Sequence, residues 1–131
     1  MPYTMDFTKD GKGVLRKGLG VLKGQEIIEG GLALLAEEQR LRGLTYGRAD
    51  FTEVTSIVIT PDDIHRIADT NKRMAQINPH AVVAIIAPGD AIFGIARMWE
   101  TFAESTGWKT KVVRTAAEAD AWLEVELARG H

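Results

Sequence analysis

An unbroken apolar run over residues 81–87 is the strongest feature of the hydrophobic pattern. The run is bounded by Pro79 and Pro88 and is typical of a strand buried on both faces. Pro88 and Gly89 end it, and Asp90 is placed to cap the helix that follows. One apolar stripe predicts that this helix packs on a sheet: Ile92, Ile95, Ala96, Trp99, Phe102 and Ala103. A buried strand followed by such a helix favours a parallel sheet covered on both sides.

The pattern before this strand begins with an antiparallel pair. Residues 3–7 alternate as a half-buried strand does, and residues 14–22 predict its partner. Gly18 and Gly20 interrupt the second strand and mark either a bulge or a close approach of backbone or ligand, of which the bulge is favoured.

A first helix is predicted over residues 25–42, where a broad apolar face contains the pair Gly30 and Gly31. These two glycines weaken the helix but allow close packing. Residues 44–51 predict a third strand, and residues 52–59 a loop or irregular turn.

Two capping signals place the remaining helices. Thr60 precedes Pro61 and two acids, which predicts the start of a second helix. Its inner stripe comprises Ile64, Ile67, Ala68, Asn71, Met74 and Ala75. A short last strand is predicted over residues 109–114, and Thr115 with Glu118 forms a capping box for a closing helix. That helix carries Ala119, Trp122, Leu123 and Leu127 inward.

The resulting order is β-β-α-β-α-β-α-β-α. It predicts an α/β fold with one mixed, mostly parallel sheet of five strands and four helices. A chain of 131 residues with 45% hydrophobic residues suffices for one core. Neither a repeat nor a linker divides it, so residues 1–131 predict a single domain.

Composition excludes several classes of protein. A net charge of −2 and a pI near 5.9 disfavour a nucleic-acid binder that works by phosphate neutralisation. The chain has no cysteine, which excludes disulfides and thiolate metal sites. No apolar run reaches the roughly 18–20 residues of a transmembrane helix, and the N-terminus lacks a signal-peptide core, so a cytoplasmic protein is expected.

The charge is unevenly distributed. Residues 1–24 carry a net charge of +3, and the remaining residues carry −5. A basic edge meeting an acidic partner or anionic lipid is one interpretation. A solvated edge strand protected by scattered lysines is the favoured one.

Four stretches resemble a known superfamily: GLGVLKGQEII (18–28), LTYGRADFTEV (44–54), VVAIIAPGDAIFGIARMWETF (82–102) and KVVRTAAEADAWL (111–123). Together they resemble the SpoIIAA-like branch of the STAS domain superfamily, the fold of anti-sigma-factor antagonists and transporter regulatory domains. The resemblance lies at the level of the fold. It implies a non-enzymatic regulatory module that binds a protein partner.

The chain departs from that superfamily at its phosphorylation segment. Phosphorylated members carry a serine in an Asp-Ser-Ser-Gly segment at the start of the helix after the third strand. Asp50 matches the upstream aspartate, but residues 57–61 contain no Asp-Ser pair and no following glycine. Thr60 is the nearest hydroxyl, and Asp62 and Asp63 beside it would repel a phosphate. The sequence therefore predicts no phosphoserine switch.

No motif predicts catalysis. Asp62, His65 and Asp69 share one helix face, which is the pattern of a metal ligand set or a general base, but it is the solvent side of the helix. Residues 89–94 fit a loose phosphate loop without its Lys-Ser/Thr. We therefore predict no catalytic, metal-binding or cofactor-binding residue.

Three functions stay open. The first is an interaction module whose partner contacts Asp50, Thr52, Thr55, Ser56 and Thr60. The second is a carrier or sensor of a small apolar ligand or lipid, since this branch is similar in fold to lipid-exchange domains of the CRAL-TRIO type. Phe93 and Met98 flank the inner stripe of their helix, which predicts either that ligand surface or a homodimer contact. The third is an enzyme using the face with His65.

Overall fold

Five strands and five α-helices make up most of residues 3–129, the part of the chain described by this computed structural model. The strands are β1 (Tyr3–Phe7), β2 (Gly13–Lys23), β3 (Tyr46–Val58), β4 (Val82–Ile86) and β5 (Lys109–Val113). The helices are α1 (Gly24–Leu35), α2 (Glu38–Gly43), α3 (Pro61–Ile77), α4 (Asp90–Ala103) and α5 (Ala116–Arg129), with a 3-10 turn at Glu104–Thr106.

The strands form one sheet in the order β1-β2-β3-β4-β5. β1 is antiparallel to β2, and all other neighbours are parallel. This confirms the predicted mixed, mostly parallel sheet. Within β2, Gly20 has φ +60° beside a shift in the pairing register, so the interruption predicted there is an irregularity of the β2–β3 ladder. The extra residue at this shift lies on β3, where Val54 and Ser56 face the consecutive Gly20 and Val21.

The sheet is covered unequally on its two faces. α1, α3 and α4 pack together on one face, here called the inner face, over residues such as Val14, Phe51 and Ile85. α5 covers only β3, β4 and β5 on the opposite face, where Ala119 and Leu123 are buried as predicted. Leu15 and Val21 of β2 therefore remain 41% and 51% exposed on that face.

The single helix predicted over residues 25–42 is wrong, because α1 and α2 are separate helices and raise the number of helices from four to five. The chain leaves helical geometry at Glu37, with φ −105° and ψ 57°. After this turn Leu41 is 1% exposed in the core. The Asn78 amide donates hydrogen bonds to the carbonyls of Leu41 and Leu44, which fixes the direction of α2.

The predicted loop over residues 52–59 is also wrong, because β3 continues to Val58. β4 pairs only with Tyr46–Asp50 of β3, whereas β2 follows β3 as far as Val58. Residues 51–58, here called the β3 extension, thus protrude past β4 as a two-stranded ribbon with β2. The two register shifts between β2 and β3 place extra residues in β3 and disturb its regular alternation of apolar residues. For this reason the extension does not show the alternating pattern of a strand.

Close packing at the paired glycines is confirmed. A Cβ atom at Gly30 would lie 2.5 Å from the Tyr3 ring, and one at Gly31 would lie 2.6 Å from the Thr70 Cγ2 methyl. α1 can therefore approach both β1 and α3 more closely than a helix with larger residues at these positions.

Candidate functional site

The β3 extension presents most of the residues proposed for a partner surface. Thr52, Thr55 and Ser56 are exposed, and Asp50 is half-buried at the start of the extension. The Asp50 carboxylate accepts hydrogen bonds from the backbone amide of Thr52, at 2.8 Å, and from its hydroxyl. Asp50 therefore orders the first residues of the extension, in addition to any contact with a partner.

Thr60 lies at the far end of this surface and caps α3, as predicted. Its hydroxyl accepts a hydrogen bond from the Asp63 amide at 3.0 Å, and the Asp63 carboxylate accepts one from the Thr60 amide at 3.0 Å. This reciprocal capping box satisfies two backbone donors that the helix cannot satisfy itself. The geometry gives Thr60 a structural role.

Thr60→Ala is expected to lower the free energy of unfolding by about 1 kcal/mol, because the Asp63 amide loses its acceptor. Thr60→Ser keeps the hydroxyl and is the matched control, expected to lie within about 0.5 kcal/mol of the wild type. Urea denaturation of the three proteins measures both changes. Equal stability of the alanine and serine variants would show that the cap contributes nothing.

The helix face considered for a metal or catalytic site belongs to α3. Asp62, His65 and Asp69 are all exposed. The His65 ring packs on Phe102, with ring centroids 4.5 Å apart and planes tilted by 35°. This contact gives His65 a packing role between α3 and α4.

Asp90 does not cap α4, contrary to the prediction. It is the first residue of that helix, Gly89 holds the cap position, and no side chain there accepts a capping hydrogen bond. The Asp90 carboxylate instead accepts a hydrogen bond of 2.7 Å from Arg114. The same guanidinium lies 3.9 Å above the centre of the Phe93 ring.

The two residues proposed for an apolar surface differ in exposure. Phe93 packs against the core beneath Arg114, whereas Met98 is 46% exposed. Neither of them lines the cavity described next. Their role in self-association or ligand binding stays a prediction.

A cavity of about 90 Å³ lies under the helices of the inner face. Its walls come from the sheet and from α1, α3 and α4, and include Val14, Phe51, Ile27, Ile64 and Trp99. Most of this surface is apolar. Residues of both hydrophobic clusters of the inner face line this cavity.

Several polar side chains also line this cavity, and three of them carry an unsatisfied buried atom. Arg16 Nε, the Tyr3 hydroxyl and Trp99 Nε1 are buried without a hydrogen-bond partner among residues 3–129. Trp108, whose side chain also lines the cavity, offers a contrast, because its indole nitrogen donates to the Asn78 carbonyl at 2.8 Å. Unsatisfied buried polar atoms are rare in folded proteins and call for an explanation.

Strand register places Arg16 on the inner face. It alternates with Val14 and Gly18, and its neighbours across the sheet are Met5 on β1 and Ala49 on β3. The sequence analysis did not identify Arg16, Tyr3 or Trp99 as site residues. The available signal was an arginine at an inward position of a strand, which is unusual without a partner.

Burial raises the pKa of the Tyr3 hydroxyl above its ordinary value, and the nearby Arg16 guanidinium opposes part of that rise. The phenol therefore remains protonated at neutral pH. It can donate a hydrogen bond to a group inside the cavity.

Comparison with solved structures identifies the fold. The anti-sigma factor antagonist SpoIIAA, in its unphosphorylated form, matches with a TM-score of 0.54 and 11% identity over 98% of this chain and 99% of that chain. An uncharacterised DUF3478-family protein with a SpoIIAA-like fold, from Shewanella loihica, matches with a TM-score of 0.51 and 20% identity over 92% of this chain and 91% of that chain. The chain therefore has a SpoIIAA-like, STAS-type fold, which confirms the resemblance in the sequence.

The sequence comparisons add no further assignment, since no protein-family model matches the chain and no curated protein matches it significantly. Within residues 3–129, no helix combines the length and apolar character needed to cross a membrane. Because both structural matches are below 25% identity, they establish the fold alone.

Proposed function

We propose that the chain is a non-enzymatic regulatory module that binds a protein partner through the β3 extension and the start of α3. The observation that carries this proposal is the strand edge beyond β4. Among the described residues, the ladder of residues 51–58 pairs with β2 alone. An unpaired edge presents backbone donors and acceptors to which a partner can add a strand.

The side chains of the extension suit such a partner. Thr52, Thr55 and Ser56 offer exposed hydroxyl groups, and Val58 is 57% exposed beside them. This combination of hydrogen-bonding groups and a small apolar contact is typical of a transient protein interface. One solved protein of this fold is an anti-sigma factor antagonist, which supports a regulatory role.

The proposed module works without the phosphoserine switch of the superfamily. Thr60 occupies the equivalent region and is committed to the capping box with Asp63. A phosphate on this hydroxyl would meet the first-turn carboxylates of Asp62 and Asp63. Regulation would then depend on the partner or on a ligand.

A photocrosslinking amino acid at position 56 tests the partner surface, with the same amino acid at the exposed position 121 on α5 as the control. We expect position 56 to capture a defined protein that position 121 does not capture. With that protein purified, Thr52→Arg and Ser56→Arg together should weaken its binding at least about tenfold, because both place bulk and charge in the interface. Ala121→Arg should leave the binding unchanged.

The stability of these variants separates a lost interface from a lost fold. All three substitutions lie at exposed positions and should change the free energy of unfolding by no more than about 0.5 kcal/mol each. Identical crosslinks from positions 56 and 121, or unaltered binding by the double variant, would contradict the proposed surface.

The cavity favours a second candidate function, the carrier or sensor of a small apolar ligand. Its walls are largely apolar, and it lies between the sheet and the layer of helices α1, α3 and α4. Native mass spectrometry compared with the denatured mass tests this function directly. Extra mass that is lost on denaturation is expected from a bound ligand, and a mass equal to that of the bare chain counts against a carrier.

A further inference from the structure

We propose that the cavity binds a short-chain amphiphile with a carboxylate head group. In this arrangement the Arg16 guanidinium and the Tyr3 hydroxyl bind the carboxylate, and the apolar walls enclose the hydrocarbon chain. The inference rests on the second candidate function, the ligand carrier. It adds the chemical class of the ligand and the residues that recognise it.

The first argument is the buried Nε of Arg16, which has no hydrogen-bond partner within residues 3–129. This atom is shielded from solvent, and the neighbours of Arg16 on the inner face of the sheet, Met5 and Ala49, are apolar. The ion pairs found within residues 3–129 all join other side chains. A buried N–H group without an acceptor is costly, and a carboxylate ligand would supply that acceptor.

The second argument is the hydrogen-bonding character of the unsatisfied atoms. Arg16 Nε and Trp99 Nε1 can only donate hydrogen bonds, and the protonated Tyr3 hydroxyl donates one as well. Within the described chain, no unsatisfied buried side-chain atom on this cavity is an obligate acceptor. The unsatisfied atoms therefore match an acceptor-rich head group rather than an ammonium group.

The third argument is size. The volume of about 90 Å³ is smaller than the ~150 Å³ apolar cavity that admits benzene. The site is therefore expected to take a chain of at most about six carbons. Longer chains would require α1 and α3 to separate, which the close contact at Gly31 and Thr70 opposes.

Three probes of equal chain length test the head group: hexanoate, hexan-1-ol and hexylamine. Amide NMR titrations of the full chain should show hexanoate shifting cavity residues with a dissociation constant in the millimolar range or tighter, as expected for so few atoms. Hexylamine should not shift them. Hexan-1-ol should bind more weakly than hexanoate.

Two substitutions on β2 provide a matched pair. Arg16→Met removes the guanidinium but keeps an unbranched apolar stem, and should weaken hexanoate binding at least about tenfold while leaving hexan-1-ol unaffected. Lys17→Met removes a charge that points to the other face of the same strand, and should change neither. Tyr3→Phe should weaken hexanoate binding without the loss of a charge.

The head-group inference is overturned if Arg16→Met binds hexanoate as tightly as the wild type, or if hexylamine binds equally well. If Arg16→Met does not fold, the comparison of hexanoate with hexylamine on the wild type and on Tyr3→Phe decides the question. A bound neutral ligand in native mass spectrometry, without hexanoate binding, would overturn the head group but keep the carrier. Absence of binding by every probe, together with a bare native mass, would overturn both.

Discussion

Asn78→Ala is expected to lower the free energy of unfolding by about 3 kcal/mol or more, because it leaves several buried backbone groups unpaired. Asn78 follows α3 and is 4% exposed. Its amide nitrogen donates to the carbonyls of Leu41 and Leu44, at 2.8 and 2.7 Å. Its side-chain oxygen accepts from the amides of His80 and Ala81, at 3.1 and 3.2 Å. One side chain thus joins the end of α2 to the start of β4.

Urea denaturation measures this change in the free energy of unfolding. Two further variants show how much of it comes from the hydrogen bonds of Asn78. Asn78→Asp keeps the acceptor oxygens but loses the donor to the two carbonyls, so it should also destabilise the protein by at least about 2 kcal/mol. Gln76→Ala, at an exposed position of α3, should stay within about 0.5 kcal/mol of the wild type. A change below 1 kcal/mol in Asn78→Ala, the size of a single exposed substitution, would show that water replaces the amide at little cost.

Gly31→Ala is expected to destabilise the fold by about 2 kcal/mol, although alanine favours a helix over glycine by roughly 1 kcal/mol. The added Cβ would lie 2.6 Å from the Thr70 methyl on α3. Thr70 cannot move away easily, because it is 6% exposed and its hydroxyl donates to the Arg66 carbonyl at 2.9 Å. The contact between α1 and α3 would have to open.

Thr70→Ser gives the matched rescue of this substitution. Serine lacks the obstructing methyl but keeps the hydroxyl that binds Arg66. In the double variant with Gly31→Ala we expect most of the stability to return, which corresponds to a coupling energy of about 1–2 kcal/mol between the two sites. A Gly31→Ala variant as stable as the wild type, or a double variant no more stable than the single one, would contradict close packing here.

Local patterns of residues were sufficient to predict much of this fold. The alternation in Tyr3–Phe7 predicted a half-buried strand because successive side chains of a strand point to opposite faces of the sheet. In the structure these residues form β1 and pair with β2. The N-cap at Thr60 and the capping box at Thr115 predicted two helix starts because the hydrogen bonds that define them lie within four residues.

Features determined by distant contacts were not predictable in this way. Residues 36–38 contain good helix formers, and the end of the separate helix α2 is held by Asn78, which is far away in sequence. The β3 extension was missed because extra residues at its register shifts with β2 interrupt the regular period of two.

The candidate sites likewise contain a part that local sequence predicted and a part that depends on distant contacts. The exposed hydroxyls of Thr52, Thr55 and Ser56 were predictable from their polar stretch. The cavity was not, because its polar lining combines Arg16 of β2 with Tyr3 of β1 and Trp99 of α4. Each of these residues has an ordinary place in its own element, and only the packing of the three elements leaves their polar atoms without partners.

The strand order of the sheet has a consequence for the way the chain is synthesised. Because β1 to β5 lie side by side in the order in which they leave the ribosome, each new strand adds to an edge that already exists, and no strand has to insert between two others. Most pairings therefore join neighbouring segments, which favours progressive folding during translation. The greatest hazard comes late. Until β5 emerges, the growing sheet ends in the wholly apolar strand Val82–Ile86, and a pause at that stage leaves an edge prone to aggregation.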